Sequence, residues 1–212
     1  MNILYMSPTQ VDNSLFIKIK KAFSNSEHHF TFFPIDYTKC KGWKWQFCQR
    51  FLTQNFIKRF NFDYIMVWDD DLDIHNFNID LFIKICKAFK IEIAQPALGY
   101  NSYFTHAVTL KSSNPNVVFR ITDFVEIMCP VFTKEAWLKL YPYLEYSNEQ
   151  GWGYDSIFKF LGKCAIIDSQ PIQHTRKLNE HGSQCQVDLL EFLNKHKLKK
   201  EYQGNMVIVV KK

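Results

Sequence analysis

The chain has 212 residues, 47% of them hydrophobic and 17% aromatic, which is enough to bury a core within one domain and too apolar for a disordered segment. A formal net charge of +5 is mild; it suits an anionic ligand or an acidic membrane surface. Six cysteines (Cys40, Cys48, Cys86, Cys129, Cys164, Cys185) form no CxxC pair, which speaks against a disulfide framework or a zinc ribbon and for buried thiols in a reducing compartment.

Residues 2–6 (NILYM) read as a first strand. Asp12 or Asn13 offers an N-cap for an amphipathic helix carrying Leu15, Phe16, Ile19 and Phe23. A second strand covers 29–35 and ends at Asp36. A helix is predicted over 45–60, where Phe47, Phe51, Leu52 and Phe56 are spaced for one buried face. A third strand follows at 64–68, then a helix over about 79–89 capped by Asn78, then a strand at 91–96. This β-α-β-α-β-α-β order argues for parallel strands flanked by helices. Beyond Pro96 the texture changes. Residues 106–111, 117–122 and 124–129 read as short antiparallel strands, with SNPN at 113–116 as a turn. Residues 134–140 and 156–161 read as helices, 164–168 as a strand, 187–198 as a C-terminal helix and 206–210 as a late strand.

The expectation is one domain over 1–212, with a nucleotide-binding half (1–98), an acceptor and catalytic half (99–185) and a C-terminal helix and tail (186–212). The basic run at 195–200 reads as a solvated helix face. No signal peptide pattern and no apolar run of membrane-spanning length is evident, so the expected location is cytoplasmic, with peripheral contact at the inner face of the cytoplasmic membrane.

The strand at 64–68 runs directly into Asp69, Asp70 and Asp71, with Asp73 two positions on. Carboxylates packed this closely repel one another unless something positive holds them. Ligands of an open parallel sheet bind beyond the carboxyl ends of its strands, and Asp69 and Asp71 can reach one side there together. Mg²⁺ and Mn²⁺ take one or two protein carboxylates and complete their shell with water and substrate phosphates. The chain lacks the glycine-rich loop with Lys and Ser/Thr of a phosphate-binding ATPase, and the aspartates lack the Gly and Glu of a calcium loop. The residues therefore favour a metal bridge to a nucleotide diphosphate; the plain alternative is that the acids cap a turn or face solvent.

Read with their neighbours, WDDDLDIHNFNIDLFIKICKAFKIEIAQPAL, FVEIMCPVFTKEAW, GWGYD and IIDSQPIQH resemble, in order, segments of the domain of unknown function 707 family, and KGWKWQFCQRFL is similar to a further block. The resemblance covers about residues 41–174. That family looks like a branch of the GT-A glycosyltransferases, so the resemblance implies an α/β, GT-A-like fold: a mixed central sheet with a parallel N-terminal half flanked by helices. It further implies that Asp69 and Asp71 act as the D-x-D motif. Asp71 would ligate Mn²⁺ or Mg²⁺, Asp69 would contact ribose or a metal-bound water, and Asp70 would lie beside the nucleotide. His174, in PIQHTR, falls where such enzymes often supply another metal ligand. GWGYD is similar to the W-G-x-E-D motif of inverting β-galactosyltransferases, which would make Asp155 the base for an acceptor hydroxyl and place Trp152 and Gly153 at the sugar; the plain alternative for Asp155 is a helix N-cap. Ser7, Pro8 and Thr9, with Asp36, stand where GT-A folds hold base and ribose. Lys44 and Arg50 could neutralise phosphate, and Glu126 could face the acceptor pocket.

The expected activity is metal-dependent transfer of a sugar from a nucleotide-sugar donor to a glycan or lipid-linked glycan acceptor, with inversion. UDP is the expected nucleotide and a galactosyl or galactofuranosyl unit a candidate sugar. A chain rich in Lys, Asn, Phe and Ile suits a bacterial enzyme of surface polysaccharide or lipooligosaccharide synthesis. Two other classes stay open: a metal-dependent phosphohydrolase, and a non-catalytic nucleotide- or nucleic-acid-binding protein, although no nucleic-acid motif is present and no nucleic-acid partner is expected.

Overall fold

In β1 (Asn2–Ser7) every residue after the first is buried, and the side chains alternate between two separate clusters: Ile3 and Tyr5 enter one, Leu4 and Met6 the other. A strand buried on both faces has to sit in the middle of a covered sheet. It does so in the computed structural model of the chain, which describes residues 1–177, 183–199 and 207–210. β1 pairs in parallel with β2 (His29–Pro34) on one side and β3 (Tyr64–Val67) on the other.

Helices close both faces. Asn13, rather than Asp12, caps α1 (Ser14–Ser24), accepting from the backbone N–H groups of Leu15 and Phe16. α1 and α4 (Ile79–Ala88, capped by Asn78) bury Phe16, Ile19, Phe23, Phe82, Ile83 and Cys86 in the Ile3–Tyr5 cluster. Against the other face lie Trp45 and Phe47 of α2 (Lys44–Phe51), Trp137 of α5 (Lys134–Leu140), Phe158 of α6 (Asp155–Leu161) and Phe192 of α7 (Ser183–Lys195).

The remaining strands are β4 (Leu72–Asp73), β5 (Ile93–Leu98), β6 (Val117–Ile121), β7 (Val131–Thr133), β8 (Cys164–His174) and β9 (Val207–Val210). Their order is β2-β1-β3-β7-β5-β8-β6-β9, with β4 paired to β8. β7 runs antiparallel between β3 and β5; β8 is parallel to β5, and β6 is antiparallel to β8 and β9. The result is the expected GT-A-like mixed sheet, parallel over β2, β1 and β3. Among the described residues no helix is long and apolar enough to cross a membrane. All six cysteines are free thiols, and Cys40 alone is not buried.

Several expected elements differ. The helix over 45–60 is two helices, α2 and α3 (Gln54–Phe60), because Thr53 caps the second through Phe56 N–H while the Leu52 carbonyl accepts from the indole of Trp137 at 3.0 Å. Residues 106–111 are not a strand but a short 3₁₀ turn (Ala107–Thr109). The carbonyls of Val108 and Leu110 accept instead from the Arg120 guanidinium, at 2.9 and 2.6 Å. Residues 124–129 are not a strand either: Glu126 N–H donates to the Gln95 side chain, and Lys44 Nζ takes the Ile127 and Met128 carbonyls at 2.7 and 2.9 Å. The central antiparallel strand comes just afterwards, as β7. β8 extends well past the expected 168, and α7 runs from Ser183 to Lys195 rather than over 187–198. β9 supplies the expected late strand at 207–210, while 178–182 and Met206 lie outside the described residues.

Arg120 is the latch of the second half. Its Nε meets Asp168 Oδ2 at 2.8 Å, and Asp168 Oδ1 accepts from Ser112 N–H at 2.7 Å. With Asp168 at 1% exposure, Arg120→Ala should cost about 3–5 kcal/mol in urea unfolding, since the carboxylate would stay buried without its partner. The pair Arg120→Met with Asp168→Leu should recover most of that loss. A loss below about 1 kcal/mol for Arg120→Ala would show that water replaces the guanidinium at little cost.

Candidate active site

β3 stops at Val67, but the backbone stays extended: Trp68 N–H donates to Met6 O and Asp69 N–H to Met128 O. This carries Asp69, Asp70 and Asp71 past the strand ends into a cleft of about 680 Å³. Pro8 after β1, Tyr37 after β2, Trp43 and Lys44 at the start of α2, Glu126, Trp152, Asp155 and His174 also line it. The sheet explains the convergence, because parallel strands end at one edge and their loops share that space.

The three aspartates have three different partners. Asp69 pairs with Lys44 Nζ at 2.6 Å. Asp70 meets Arg176 at 3.3 Å. Asp71 Oδ2 lies 3.2 Å from His174 Nε2 and 3.7 Å from Arg176 Nε. That last meeting depends on β8. Pro96 pairs with Ile167 but Leu98 with Ile172, so the register slips, and beyond the slip Leu72 pairs with His174. Thr175 then ties down the Asp71 carbonyl through its N–H at 3.0 Å and its hydroxyl at 2.8 Å.

Electrostatics separates the acids. Burial works against ionisation of Asp71, but the hydrogen bond and charge of His174 and the charge of Arg176 outweigh it and hold the carboxyl below its ordinary range. Burial likewise disfavours the charged imidazole of His174, yet Asp71 lifts it above its usual value. Burial raises Asp69 despite Lys44, and raises Asp70 despite Arg176. Glu126 is pushed up to about 7, first by burial and then by the charges of Asp155 and Asp69.

The Asp71–His174 pair fits a divalent cation. Asp71 Oδ1 is buried with no hydrogen-bond partner. His174 Nδ1 lies 2.8 Å from the Tyr103 carbonyl; in the neutral ring a proton donated there would leave the Nε2 lone pair for an ion beside Asp71, the arrangement that orients a metal-bound histidine. One carboxylate and one imidazole leave most of the shell to water and phosphate. Asp69 is drawn to Lys44, and among the described residues no third acid or imidazole converges with the pair.

Asp155 is 6% exposed and is the first residue of α6, one position after Tyr154. Two glycines aim this segment. Gly151 (φ +80°) and Gly153 (φ +95°) are left-handed; a Cβ on the first would strike the Trp45 ring, and on the second would come within 2.6 Å of Phe192. Glu126 is 8% exposed, and its Oε2 is buried without a hydrogen-bond partner.

Not every expected residue reaches the cleft. Of Ser7, Pro8 and Thr9, Pro8 lines it while the other two are buried. Asp36 stays outside, capping its own turn through Thr38 N–H and hydroxyl at 3.0 and 2.6 Å. Arg50, expected to neutralise phosphate, is a correction: it is exposed on the far part of α2, with its guanidinium over the Phe51 ring, because a helix cannot aim both Lys44 and a residue six positions on at one point. Gly153 supplies backbone shape rather than a wall. Missed in the sequence were Arg176, Lys41, Tyr37 and Trp43. Arg176 was detectable, standing two positions after His174 and so on the same side of an extended chain. Tyr37 and Trp43 lie outside any periodic pattern.

Comparison with known proteins places this architecture. No curated protein matches the chain. A crystal structure of S. aureus TarS residues 1–349 in complex with UDP-GlcNAc is similar over 92% of this chain and 65% of that one, with 11% identity and a TM-score of 0.55. Another S. aureus TarS structure is similar over 92% of this chain and 43% of that one, with 10% identity and a TM-score of 0.51. The chain thus spans less than two thirds of either TarS chain. A glycosyltransferase involved in glycosylation of the major capsid of PBCV-1 matches 90% of this chain and 98% of that one, with 10% identity and a TM-score of 0.49. The family described as "Protein of unknown function (DUF707)" matches residues 26–209, and the chain belongs to that family.

Proposed function

We propose that the protein is a metal-dependent glycosyltransferase that moves a sugar, with inversion, from a nucleotide-diphosphate donor to an acceptor hydroxyl. The observation that carries this reading is the Asp71–His174 pair, with a buried carboxylate oxygen left unpartnered, in a cleft that Asp155 also lines. The fold it shares with TarS, which binds UDP-GlcNAc in one structure, supports a nucleotide-sugar donor.

Asp71 and His174 would hold Mn²⁺ or Mg²⁺, whose charge would neutralise the departing diphosphate. Arg176, Lys177 and Lys41 add positive charge along the same cleft. Tyr37 and Trp43, 46% and 51% exposed, offer faces on which a base can stack. Lys44 is committed to Asp69 and two carbonyls, so its role is to hold the aspartates rather than to meet phosphate. At the acceptor side, Asp155 takes the hydroxyl proton as that oxygen bonds to the anomeric carbon. The bond to the diphosphate oxygen breaks on the opposite face and leaves its electron pair there. Trp152 packs against the sugar. Glu126, with its raised pKa, is part protonated at neutral pH and can donate to a sugar oxygen where Asp155 accepts. The donor is read as a UDP-sugar, with galactosyl and galactofuranosyl units as candidates. The acceptor is read as a glycan or lipid-linked glycan of a bacterial surface, glycosylated from the cytoplasmic side of the membrane.

Thermal unfolding with a panel of nucleotide sugars, with and without Mn²⁺, tests the donor and the metal together. A nucleotide sugar should raise the melting temperature far more with Mn²⁺ present, and Asp71→Ala should abolish that difference. Nucleotide binding with the same Mn²⁺ dependence in Asp71→Ala would remove Asp71 from the metal.

The raised pKa of His174 sets a pH dependence. A protonated imidazole cannot ligate, so Mn²⁺ affinity should fall by up to tenfold per pH unit as the pH drops below the His174 pKa, and level off above it. Without metal the sign reverses. The raised pKa stabilises the folded chain below about pH 6.5, and the contribution is lost as pH rises through the folded value. Titrations of Mn²⁺ binding between pH 5 and 9 should lose the slope in His174→Gln, and an unchanged profile would exclude the imidazole as ligand.

Asp155→Asn keeps the side chain's shape and removes its basicity. Donor affinity and melting temperature should stay near those of the wild type, while transfer at saturating donor and acceptor should fall by about 10²–10⁴. Near-normal turnover would leave Asp155 a structural role.

A further inference from the structure

A second group of ligand atoms lies away from the cleft. Glu27 and His28 precede β2, at the end of the sheet where the parallel strands begin, and Asp80 stands in the first turn of α4. One atom from each lies within 4.8 Å of the others, and none of the three lines the cleft. The imidazole makes this group more than a cluster of surface acids. The His28 side chain is 8% exposed, and its Nε2 is fully buried without a hydrogen-bond partner. That nitrogen faces Asp80 Oδ1 at 3.9 Å and Glu27 Oε1 at 4.0 Å.

These separations are too long for hydrogen bonds but suit an ion placed between the atoms. Two ligands each about 2.0–2.2 Å from a common ion stand at most about 4.2 Å apart, and a tetrahedral ion would draw them to about 3.4 Å. Glu27 can supply most of that movement, because its side chain is 72% exposed. Asp80 is already oriented, its Oδ1 accepting from Glu27 N–H at 3.2 Å. Burial lowers the His28 pKa, which favours the neutral imidazole. A buried ring nitrogen without a partner costs stability, and a cation supplies the partner it lacks.

We propose that Glu27, His28 and Asp80 form a second divalent-cation site, of the zinc class, with one imidazole nitrogen, two carboxylate oxygens and water completing a four-coordinate shell. Zn²⁺ there fastens the turn between α1 and β2 to the start of α4. The site stands independently of any activity in the cleft.

The test uses the full chain with the cleft pair disabled by Asp71→Asn and His174→Gln, so that zinc cannot report on that pair. Equilibrium dialysis against micromolar Zn²⁺ should give one ion per chain, and saturation should raise the melting temperature by about 5 °C or more. Adding His28→Ala should abolish both effects, and Asp80→Asn, which keeps the side chain's size should His28→Ala fold poorly, should do the same. Mg²⁺ at the same concentration should neither bind nor stabilise. Absence of bound Zn²⁺, half-saturation only in the millimolar range, or zinc binding that survives both substitutions would each overturn the proposal.

Discussion

The cleft depends on one buried ammonium. Lys44 is 8% exposed, and its Nζ reaches Asp69 and the carbonyls of Ile127 and Met128. An ammonium in the interior is costly unless its three donors are satisfied, and here Asp69 takes one while two adjacent carbonyls of a single loop take the others. The lysine thereby joins the start of α2, the end of β3 and the loop that bears Glu126. It also offsets the repulsion among neighbouring aspartates, while Asp71 pairs with His174. Because Asp69 keeps 35% of its side chain accessible, this pair is screened more than a fully buried one. Its importance lies in geometry as much as in energy.

The second constraint is the length of β8. A strand that ended at its sequence-expected limit would leave the Asp71 carboxylate without its imidazole. The register slip opposite Pro96 and Leu98 lets the strand continue to Leu72. His174 is then gripped on three sides: its N–H by the Ser102 hydroxyl, Nδ1 by Tyr103 O, and Nε2 by Asp71. A side chain held this way loses little further entropy on binding a ligand, which is what preorganisation requires.

The segment that bears Trp152 and Asp155 is set by close packing. Gly151 lies against Trp45, Gly153 against Phe192, and Tyr154 between those two rings, with centroids 5.3 and 5.1 Å away. α7 therefore reaches back to the segment that bears Asp155, and α2 contributes both to the aspartates, through Lys44, and to the glycine segment, through Trp45. Aromatic packing at these distances is stiff.

What the sequence by itself determined follows from local rules. Alternation and helical spacing place β1, α1, β2, α4 and β6 within a few residues, since these elements are written in periodicity and in caps such as Asn13 and Asn78. The aspartates at the end of β3 and the block containing His174 are legible because their side chains follow directly from an apolar strand. Tertiary structure alone decided the rest. Residues 106–111 and 124–129 have strand-forming composition, but their backbone groups are claimed by Arg120, Lys44 and Gln95 from elsewhere in the chain. The same holds for the side chains that face Asp69, Asp70 and Asp71. Lys44, Arg176 and His174 separate them, and those partners stand at sequence distances of 25 to 106 residues, beyond the reach of any local pattern.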